Sequence, residues 1–242
     1  MVRKLFLSFI LSALVLGFGI GSAQALTYTE TFSGSSLNSA WWTSSATGGN
    51  TVDVVGGQLI MTQSFYYGSS AITFNYNLAG DFEVSVDYAL LNWPTNNFER
   101  IGLSASGIGP VERSNHIGWF GDAYLTHFGD GVYFTNPTSD LSGKLKLARV
   151  GSTISGFYWS GSDWTLIHSY AAAGTDVTTI SLAIWNGYVN NSDSPVKIAF
   201  DNFTIYAPDT PGPVQGVPEP ATILLLGLGL VGMIGAKKKI HK

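Results

Sequence analysis

Three acidic residues alternate with other side chains in one short stretch of the chain. They are Asp81, Glu83 and Asp87, in the run DFEVSVDY. Alternate residues of a β-strand share one face of the sheet, so a strand here would place these carboxylates together. Two carboxylates about 5–5.5 Å apart can serve as nucleophile and acid/base in retaining glycoside hydrolysis. A hydrolase using Glu83 and Asp87 is therefore one hypothesis, and the polar, solvated face of a half-buried strand is the interpretation that we favour.

Other catalytic arrangements are weaker. His116, His127 and His168 lie in different segments, and no two of them stand at the spacing of a metal-ligand pair. The chain has no Gly-x-Ser-x-Gly nucleophile elbow. It also has no cysteine, which excludes disulfides and thiolate metal sites. We therefore predict a protein that is not an enzyme.

Aromatic residues in two predicted loops form a candidate ligand-binding face. Trp93 lies in a stretch rich in proline and asparagine, and Trp119 and Tyr124 stand on either side of a Gly-Asp turn. Exposed aromatic rings can pack against the C–H faces of sugars, so we predict these three residues as a glycan-binding face. Trp164 and Trp185 lie in or beside strand patterns, and we assign them to the core.

Short strands must position these side chains. Strand-like runs occupy residues 58–63, 71–75, 81–88, 100–104, 116–120, 144–150, 153–159, 165–170, 179–185 and 196–206. Glycine-containing turns separate them at 56–57, 129–131, 151–152 and 161–162. No convincing amphipathic helix occurs between the ends. Many short strands at regular spacing predict an all-β fold, an antiparallel two-sheet β-sandwich of the jelly-roll type.

Four stretches resemble concanavalin A-like lectin/glucanase sandwiches. A hairpin pair is formed by LKLARVGSTISGFY at 145–158 and SGSDWTLI at 160–167. Residues 30–42 resemble the first strand and loop of that group, and residues 200–205 resemble its closing strand. The resemblance implies the fold. It does not imply an activity, because one fold carries many functions.

The glucanases of that group use a Glu-x-Asp-x-x-Glu motif on one strand. Here Glu83 is followed by Ser85 where the aspartate belongs and by Tyr88 where the last glutamate belongs. The resemblance therefore does not carry the catalytic carboxylates over to this chain.

A structural calcium ion is a further possibility for an exported sandwich, in which oxygen ligands often tie the first strand to the last. Glu30 and Asp201 lie in those two predicted strands, and carboxylates suit a hard cation. Unpaired surface charges are the alternative interpretation, and we expect no other cofactor.

The N-terminus has the pattern of a secretory signal peptide. Arg3 and Lys4 precede an apolar run at 5–20, and Ala23-Gln24-Ala25 supplies the small residues of a cleavage site. We predict that the mature protein begins near Leu26. A retained N-terminal anchor is the alternative.

The C-terminal region is apolar and ends in lysines. The motif Val217-Pro218-Glu219-Pro220-Ala221 precedes an apolar run at 222–236 and Lys237–Lys239. Fifteen residues span roughly 22 Å as a helix, which is short for a hydrocarbon core of about 30 Å. This order of parts resembles the PEP-CTERM sorting signal. The resemblance implies a transient inner-membrane anchor that an exosortase-type membrane protease removes, which releases or attaches the protein at the surface of a Gram-negative bacterium that makes exopolysaccharide. A lasting C-terminal anchor is the alternative.

The sequence thus divides into a signal peptide (1–25), a β-sandwich domain (26–206), a Pro/Gly linker (207–216) and a sorting tail (217–242). Residues 27–206 carry six Lys or Arg and fourteen Asp or Glu, a net formal charge of −8. That charge argues against nucleic acid as a partner. We predict an exported, non-catalytic surface or matrix protein that binds exopolysaccharide glycans. The alternatives are a divergent glycoside hydrolase and a purely structural, adhesive matrix protein.

Overall fold

A computed structural model describes residues 25–64, 69–93, 98–116, 121–172, 178–186 and 195–211. These ranges contain strands and no helix, which confirms the predicted all-β class. The strands are β1 (Ala25–Glu30), β2 (Trp42–Ala46), β3 (Thr51–Val55), β4 (Gln58–Gln63), β5 (Ser69–Phe74), β6 (Phe82–Asn92), β7 (Glu99–Ala105), β8 (Gly109–His116), β9 (Gly121–His127), β10 (Tyr133–Pro137), β11 (Ser142–Val150), β12 (Thr153–Trp159), β13 (Trp164–Ala171), β14 (Ile180–Asn186) and β15 (Val196–Pro211).

The strands form two antiparallel sheets. Sheet A has the order β13-β12-β11-β6-β15-β4-β3, with β1 also paired to β15. Sheet B has the order β10-β9-β8-β7-β14-β5-β2. Neighbours in each sheet are often distant in sequence, which is typical of a jelly roll. This arrangement confirms the predicted two-sheet sandwich.

The core lies between the sheets and is built by period-two alternation. In β6, Val84 and Val86 are buried while the residues between them are partly exposed. They share one cluster with Leu103 and Val111 of sheet B. With no disulfide available, burial of these side chains is the main source of stability.

The tryptophans are placed differently from our prediction. Trp42 is 2 % exposed and packs edge-on against Phe203, with 4.8 Å between ring centroids. Trp164 and Trp185 are only half-buried, so their assignment to the core was wrong. Trp185 follows the buried Ile184, and Trp164 lies beneath Lys146, whose neighbours Leu145 and Leu147 are buried. Both indoles therefore lie on the outer faces of their sheets.

The predicted turns are confirmed. Gly56 and Gly57 join β3 to β4 with φ of 62° and 78°, a left-handed conformation at both positions that favours glycine. Gly151 has φ of 58° in the tight turn between β11 and β12. The predicted strand at 116–120 meets β8 at His116 only, and residues 117–120 lie outside the described part.

Strand β15 is longer than predicted. It continues through Pro211, five residues beyond the domain boundary that we placed at Tyr206, so the first half of the predicted linker is strand. Strand β1 pairs regularly with the end of β15 from Glu30↔Phe203 to Leu26↔Ala207, and after a register shift Ala25 pairs with Pro211. Pro208 lies in the irregular stretch between these pairs, and proline is tolerated at such bulges, where its missing N–H is not needed.

Within the described residues, no helix has the length and apolar character to cross a membrane. The predicted signal peptide (1–24 of it), the sorting motif from Val217 to Ala221 and the apolar run at 222–236 lie outside those residues.

Candidate functional site

The strongest candidate site lies on the outer face of sheet B. Four side chains from four adjacent strands, β9, β8, β7 and β14, meet there around a cavity of about 380 Å³. Each has a sequence neighbour buried in the core (Ile101, Val111, Phe128 and Ile184), so alternation turns these four side chains away from the core. We call this site the Glu112 pocket, defined by Arg100, Glu112, His127 and Trp185.

Glu112 is a buried carboxylate with weak partners. Its side chain is 1 % exposed, and its Oε1 lies 3.6 Å from Arg100 Nη1 and 3.9 Å from His127 Nε2. Among the described residues, neither its Oε2 nor His127 Nε2 has a hydrogen-bond partner. Buried polar atoms are usually hydrogen-bonded, so two such atoms beside one cavity indicate a site where a ligand or water supplies the partner.

Burial also changes the proton affinities in the pocket. Desolvation raises the pKa of Glu112 to about 7, and the charge of Arg100 offsets part of that rise. Desolvation lowers the pKa of His127, Arg100 lowers it further, and Asp130 partly opposes them. Perturbed groups of this kind in a cavity are typical of functional sites, although structural networks produce them too.

Aromatic rings complete the pocket. The guanidinium of Arg100 lies 6.0 Å from the centroid of the Trp185 ring, and Trp185 itself is half-buried. On the other side, His127 packs against Tyr133 of β10 with 4.8 Å between ring centroids. A pocket with a half-exposed indole, a guanidinium donor and a carboxyl group can hold a polyhydroxylated ring, which needs both stacking and hydrogen bonds.

The predicted ligand face is not assembled as we expected. Trp93 is half-buried, its Nε1 donates to Asp122 Oδ1 at 3.3 Å, and the Arg113 guanidinium lies 5.7 Å from its ring centroid. Tyr124 is 1 % exposed, so it cannot offer its ring to a ligand. Trp119 lies outside the described residues.

Tyr124 is instead part of a buried polar network between the sheets. Its hydroxyl lies 3.0 Å from that of Tyr88 and donates to Asp140 Oδ2 at 2.9 Å. Its ring stacks on Tyr158 with 4.2 Å between centroids. The predicted Gly-Asp turn is itself the beginning of β9, and alternation along this strand turns Tyr124 inward.

Glu83 and Asp87 lie on the outer face of sheet A. Asp87 accepts from Lys144 Nζ at 2.8 and 2.9 Å, and Glu83 lies 3.4 Å from Lys146 Nζ. Four residues along a strand span about 13 Å, well beyond the separation that either hydrolytic mechanism uses. Asp81 accepts from the Gly151 N–H at 2.7 Å. The structure supports the interpretation of a polar, solvated face.

The two proposed calcium ligands already have hydrogen-bond donors. Glu30 accepts from the Tyr28 hydroxyl at 2.6 Å and from the Phe32 N–H at 2.9 Å. Asp201 accepts from the Asn202 N–H at 2.7 Å. In the described part of the chain, no three His, Asp or Glu side chains are grouped to hold a metal ion. Calcium binding by Glu30 and Asp201 stays a hypothesis.

Sequence reasoning missed the Glu112 pocket. The relevant stretch is PVERSNH, in which Glu112 and Ser114 would share one face of a strand. Arg113, which lies between them and would face the other way, is polar as well. Arg113 is nevertheless buried: it pairs with Asp122 at 2.7 Å and donates to the Asp140 carbonyl at 3.2 Å. A strand with polar residues on both faces lacks the alternation by which strands are recognised.

Comparison with known proteins gives two findings. Residues 216–239 match the family model of the PEP-CTERM protein-sorting motif. The chain carries a PEP-CTERM sorting motif. This motif implies an exported protein that is transiently anchored in the membrane. No curated protein matches the chain.

Solved structures share the fold of the sandwich. A β-1,3-glucanase from Mycobacterium marinum is 12% identical, with a TM-score of 0.55 over 76% of this chain and 99% of that one. A glycosyl hydrolase family protein from Mycobacterium fortuitum is 13% identical, with a TM-score of 0.54 over 74% of this chain and 98% of that one. The carbohydrate recognition domain of Emp47p is 8% identical, with a TM-score of 0.56 over 78% and 99%. The domain therefore has the concanavalin A-like fold, and identity this low shows the fold alone.

Proposed function

We propose that this is an exported surface or matrix protein that binds a glycan in the Glu112 pocket without cleaving it. The observation that carries the proposal is a cavity where a guanidinium and a half-buried indole converge with a buried carboxyl group, one oxygen of which has no hydrogen-bond partner among the described residues. The similarity of the fold to glucanases and to a carbohydrate recognition domain supports a sugar as the ligand.

The proposed route to the surface begins with the signal peptide at 1–25 and ends with the sorting motif from Val217 to Ala221. An exosortase-type protease of the inner membrane would remove the tail of this PEP-CTERM protein, in a Gram-negative bacterium that makes exopolysaccharide. The exopolysaccharide of that matrix is then the glycan that we propose as the ligand.

Binding is favoured over hydrolysis by the number of carboxylates. Retaining and inverting glycosidases both need two, within about 10 Å of each other. Among the described strand residues on the outer face of sheet B, Glu112 is the one carboxylate, and Ser114 takes the next position on the same face of β8. Glu112 is also the one carboxylate among the described residues that line the pocket, so these residues can bind and orient a sugar but do not form a catalytic pair.

Binding of the host exopolysaccharide to the full chain tests the proposal. We expect Trp185→Ala and Glu112→Gln each to weaken binding at least about tenfold, which corresponds to 1.4 kcal/mol. Trp164→Ala is the matched control, because Trp164 is also a half-buried strand tryptophan beneath a cation, Lys146, but on the outer face of sheet A. Equal losses in the Trp185 and Trp164 variants would contradict a site at the Glu112 pocket.

The same polysaccharide tests the two other hypotheses. Binding lost in a Trp93→Ala, Trp119→Ala double variant but kept in Trp185→Ala would move the site to the predicted loop face. Release of reducing ends that disappears in Glu112→Gln would show that the protein is a hydrolase. We expect neither result.

A further inference from the structure

Both ends of the described domain leave the sandwich at the same place. Strands β1 and β15 run antiparallel, and the pair Ala25↔Pro211 brings the first described residue beside the last. The apolar runs at 5–20 and 222–236 are attached to these two ends. Both runs can therefore reach one membrane from a single end of the domain, without the chain having to pass around it.

The last residues of β15 are fixed to the domain. Thr210 is 3 % exposed, accepts from the Ala79 N–H at 2.8 Å and donates to the Ala79 carbonyl at 3.2 Å. Asp209 accepts from the Asp81 N–H at 2.9 Å. We call Thr210 and Asp209, with these backbone partners, the β15 clamp. It holds the strand as far as the residues next to Pro211.

Little chain separates the clamp from the sorting motif. The matched motif begins at residue 216, so residues 212–215 are the whole connection to Pro211. Five Cα steps span at most about 17 Å when fully extended. A protease that reads this tail at the membrane must therefore work close to the folded domain.

We propose that the end of the sandwich where β1 meets β15 faces the membrane and the sorting protease, and that the β15 clamp sets the length of chain available to the protease. The tail is then cut while the domain is folded, and its release depends on the reach of residues 212–215. This inference rests on the proposed sorting route but not on glycan binding.

A series of linker variants in the native host tests whether the length of residues 212–215 limits cutting of the tail. Deletion of residues 212–215 places the motif directly after the clamped strand, and we expect uncut precursor to accumulate in the inner membrane at least several-fold over wild type. Replacement of the same four residues by Gly-Ser-Gly-Ser is the matched control, because it keeps the length and changes the composition. We expect this variant and an eight-residue insertion to be cut as fast as wild type.

A second variant separates reach from other effects of the deletion. In the deletion background, Asp209→Ala with Thr210→Val releases the end of β15, adds reach and should restore cutting at least in part. Thr204→Val, which breaks the 2.8 Å contact to Ser85 away from the clamp, should not restore it. Protease resistance of the domain in each precursor checks that it has folded.

The outcomes are distinct. Wild-type protein that is never cut would overturn the proposed sorting route itself. A deletion variant cut at the wild-type rate would overturn the role of reach while leaving that route intact. A deletion that stays uncut even when the clamp is broken, or a Gly-Ser replacement that stays uncut, would show that the protease reads residues 212–215 directly, and would also overturn it.

Discussion

The outer faces of the two sheets carry similar residues in different surroundings. On sheet A, Lys146 lies 3.4 Å from Glu83 and 4.6 Å from the ring centroid of Trp164. On sheet B, Arg100 lies 3.6 Å from Glu112 and 6.0 Å from the centroid of Trp185. The acid is 55% exposed on sheet A and 1% exposed on sheet B. The two cations are 12% and 27% exposed and both indoles are half-buried, so the two trios differ mainly in the acid, which is solvated on sheet A and buried on sheet B.

The burial of the acid distinguishes the polar surface on sheet A from the candidate binding site on sheet B. An exposed ion pair exchanges solvation by water for a salt bridge and contributes little. A buried carboxyl group with one weak cationic partner is held at a cost to stability. The trio on sheet A, whose acid is exposed, is therefore a control for the trio on sheet B, whose acid is buried.

The largest effect on stability is expected at Gly102, which has no side chain and lies beside Glu112. Gly102 pairs with Glu112 in the sheet, and a Cβ on Gly102 would collide with the Val111 carbonyl oxygen. Because a backbone atom between two central strands has little room to move, Gly102→Ala should lower the free energy of unfolding by about 3 kcal/mol or more. Urea denaturation measures it.

Ser104→Ala is the control for this substitution, since Ser104 lies two residues along the same strand on the same face and already has a Cβ. We expect a change within about 0.5 kcal/mol. A Gly102→Ala variant as stable as Ser104→Ala would show that the strands at the pocket separate readily.

Glu112→Gln should stabilise the protein at alkaline pH. The pKa of Glu112 is about 7 in the folded domain against 4.5 for an unburied glutamate, so the folded state binds the proton more tightly. Stability from this group falls as pH rises from about 4.5 to about 7, and the loss approaches 3 kcal/mol above that range. At pH 8 the variant should be more stable than wild type by up to this amount, and at pH 4.5 the two should agree.

Glu83→Gln provides the comparison for Glu112→Gln on the exposed face. Its free energy of unfolding should differ from wild type by less than about 0.5 kcal/mol throughout pH 4.5 to 8. Two variants with the same pH profile would remove the distinction between the faces.

Much of the fold could be predicted because apolar alternation is strong where one face of a strand is buried. The bounds of β4 and β12 agree with the runs predicted at 58–63 and 153–159. The end of β15 could not be predicted in the same way, because Pro208 and Pro211 have the composition of a linker. Only the pairing with β1 shows that this segment is a strand.

The site could not be predicted, for a related reason. Arg113 faces the interior of the sandwich, where its partners Asp122, on the next strand, and the Asp140 carbonyl lie outside its own strand. These contacts are non-local, so β8 has no local apolar pattern and Glu112 could not be placed on a strand. The prediction that Tyr124 is exposed was wrong for the converse reason. Its position next to a predicted turn indicates an exposed aromatic ring, but the ring lies in the core.

A smaller effect of opposite sign is expected at His127. Burial and Arg100 hold its pKa below the ordinary 6.5, so the unfolded chain binds the proton more readily. The contribution of His127 to stability is complete above pH 6.5 and is lost as pH falls through the folded pKa. His127→Gln should therefore lessen the loss of stability on acidification, most visibly in a Glu112→Gln background, where the opposing titration is absent. Loss of stability that is steeper in the double variant would contradict this.

The smallest effect is expected from the ion pair between Lys144 and Asp87, although its distances of 2.8 and 2.9 Å are shorter than any in the Glu112 pocket. Lys144 is 42% and Asp87 29% exposed, so water competes for both charges. A double-mutant cycle with Lys144→Met and Asp87→Asn should give a coupling below about 1 kcal/mol, reduced further in 1 M salt, where the screening length is about 3 Å. The corresponding cycle with Arg100→Met and Glu112→Gln should keep its coupling in salt, because screening does not reach a buried carboxylate. If both couplings fell equally, enclosure by the protein would not be what distinguishes the two faces, and the Glu112 pocket would be an exposed polar surface like that on sheet A.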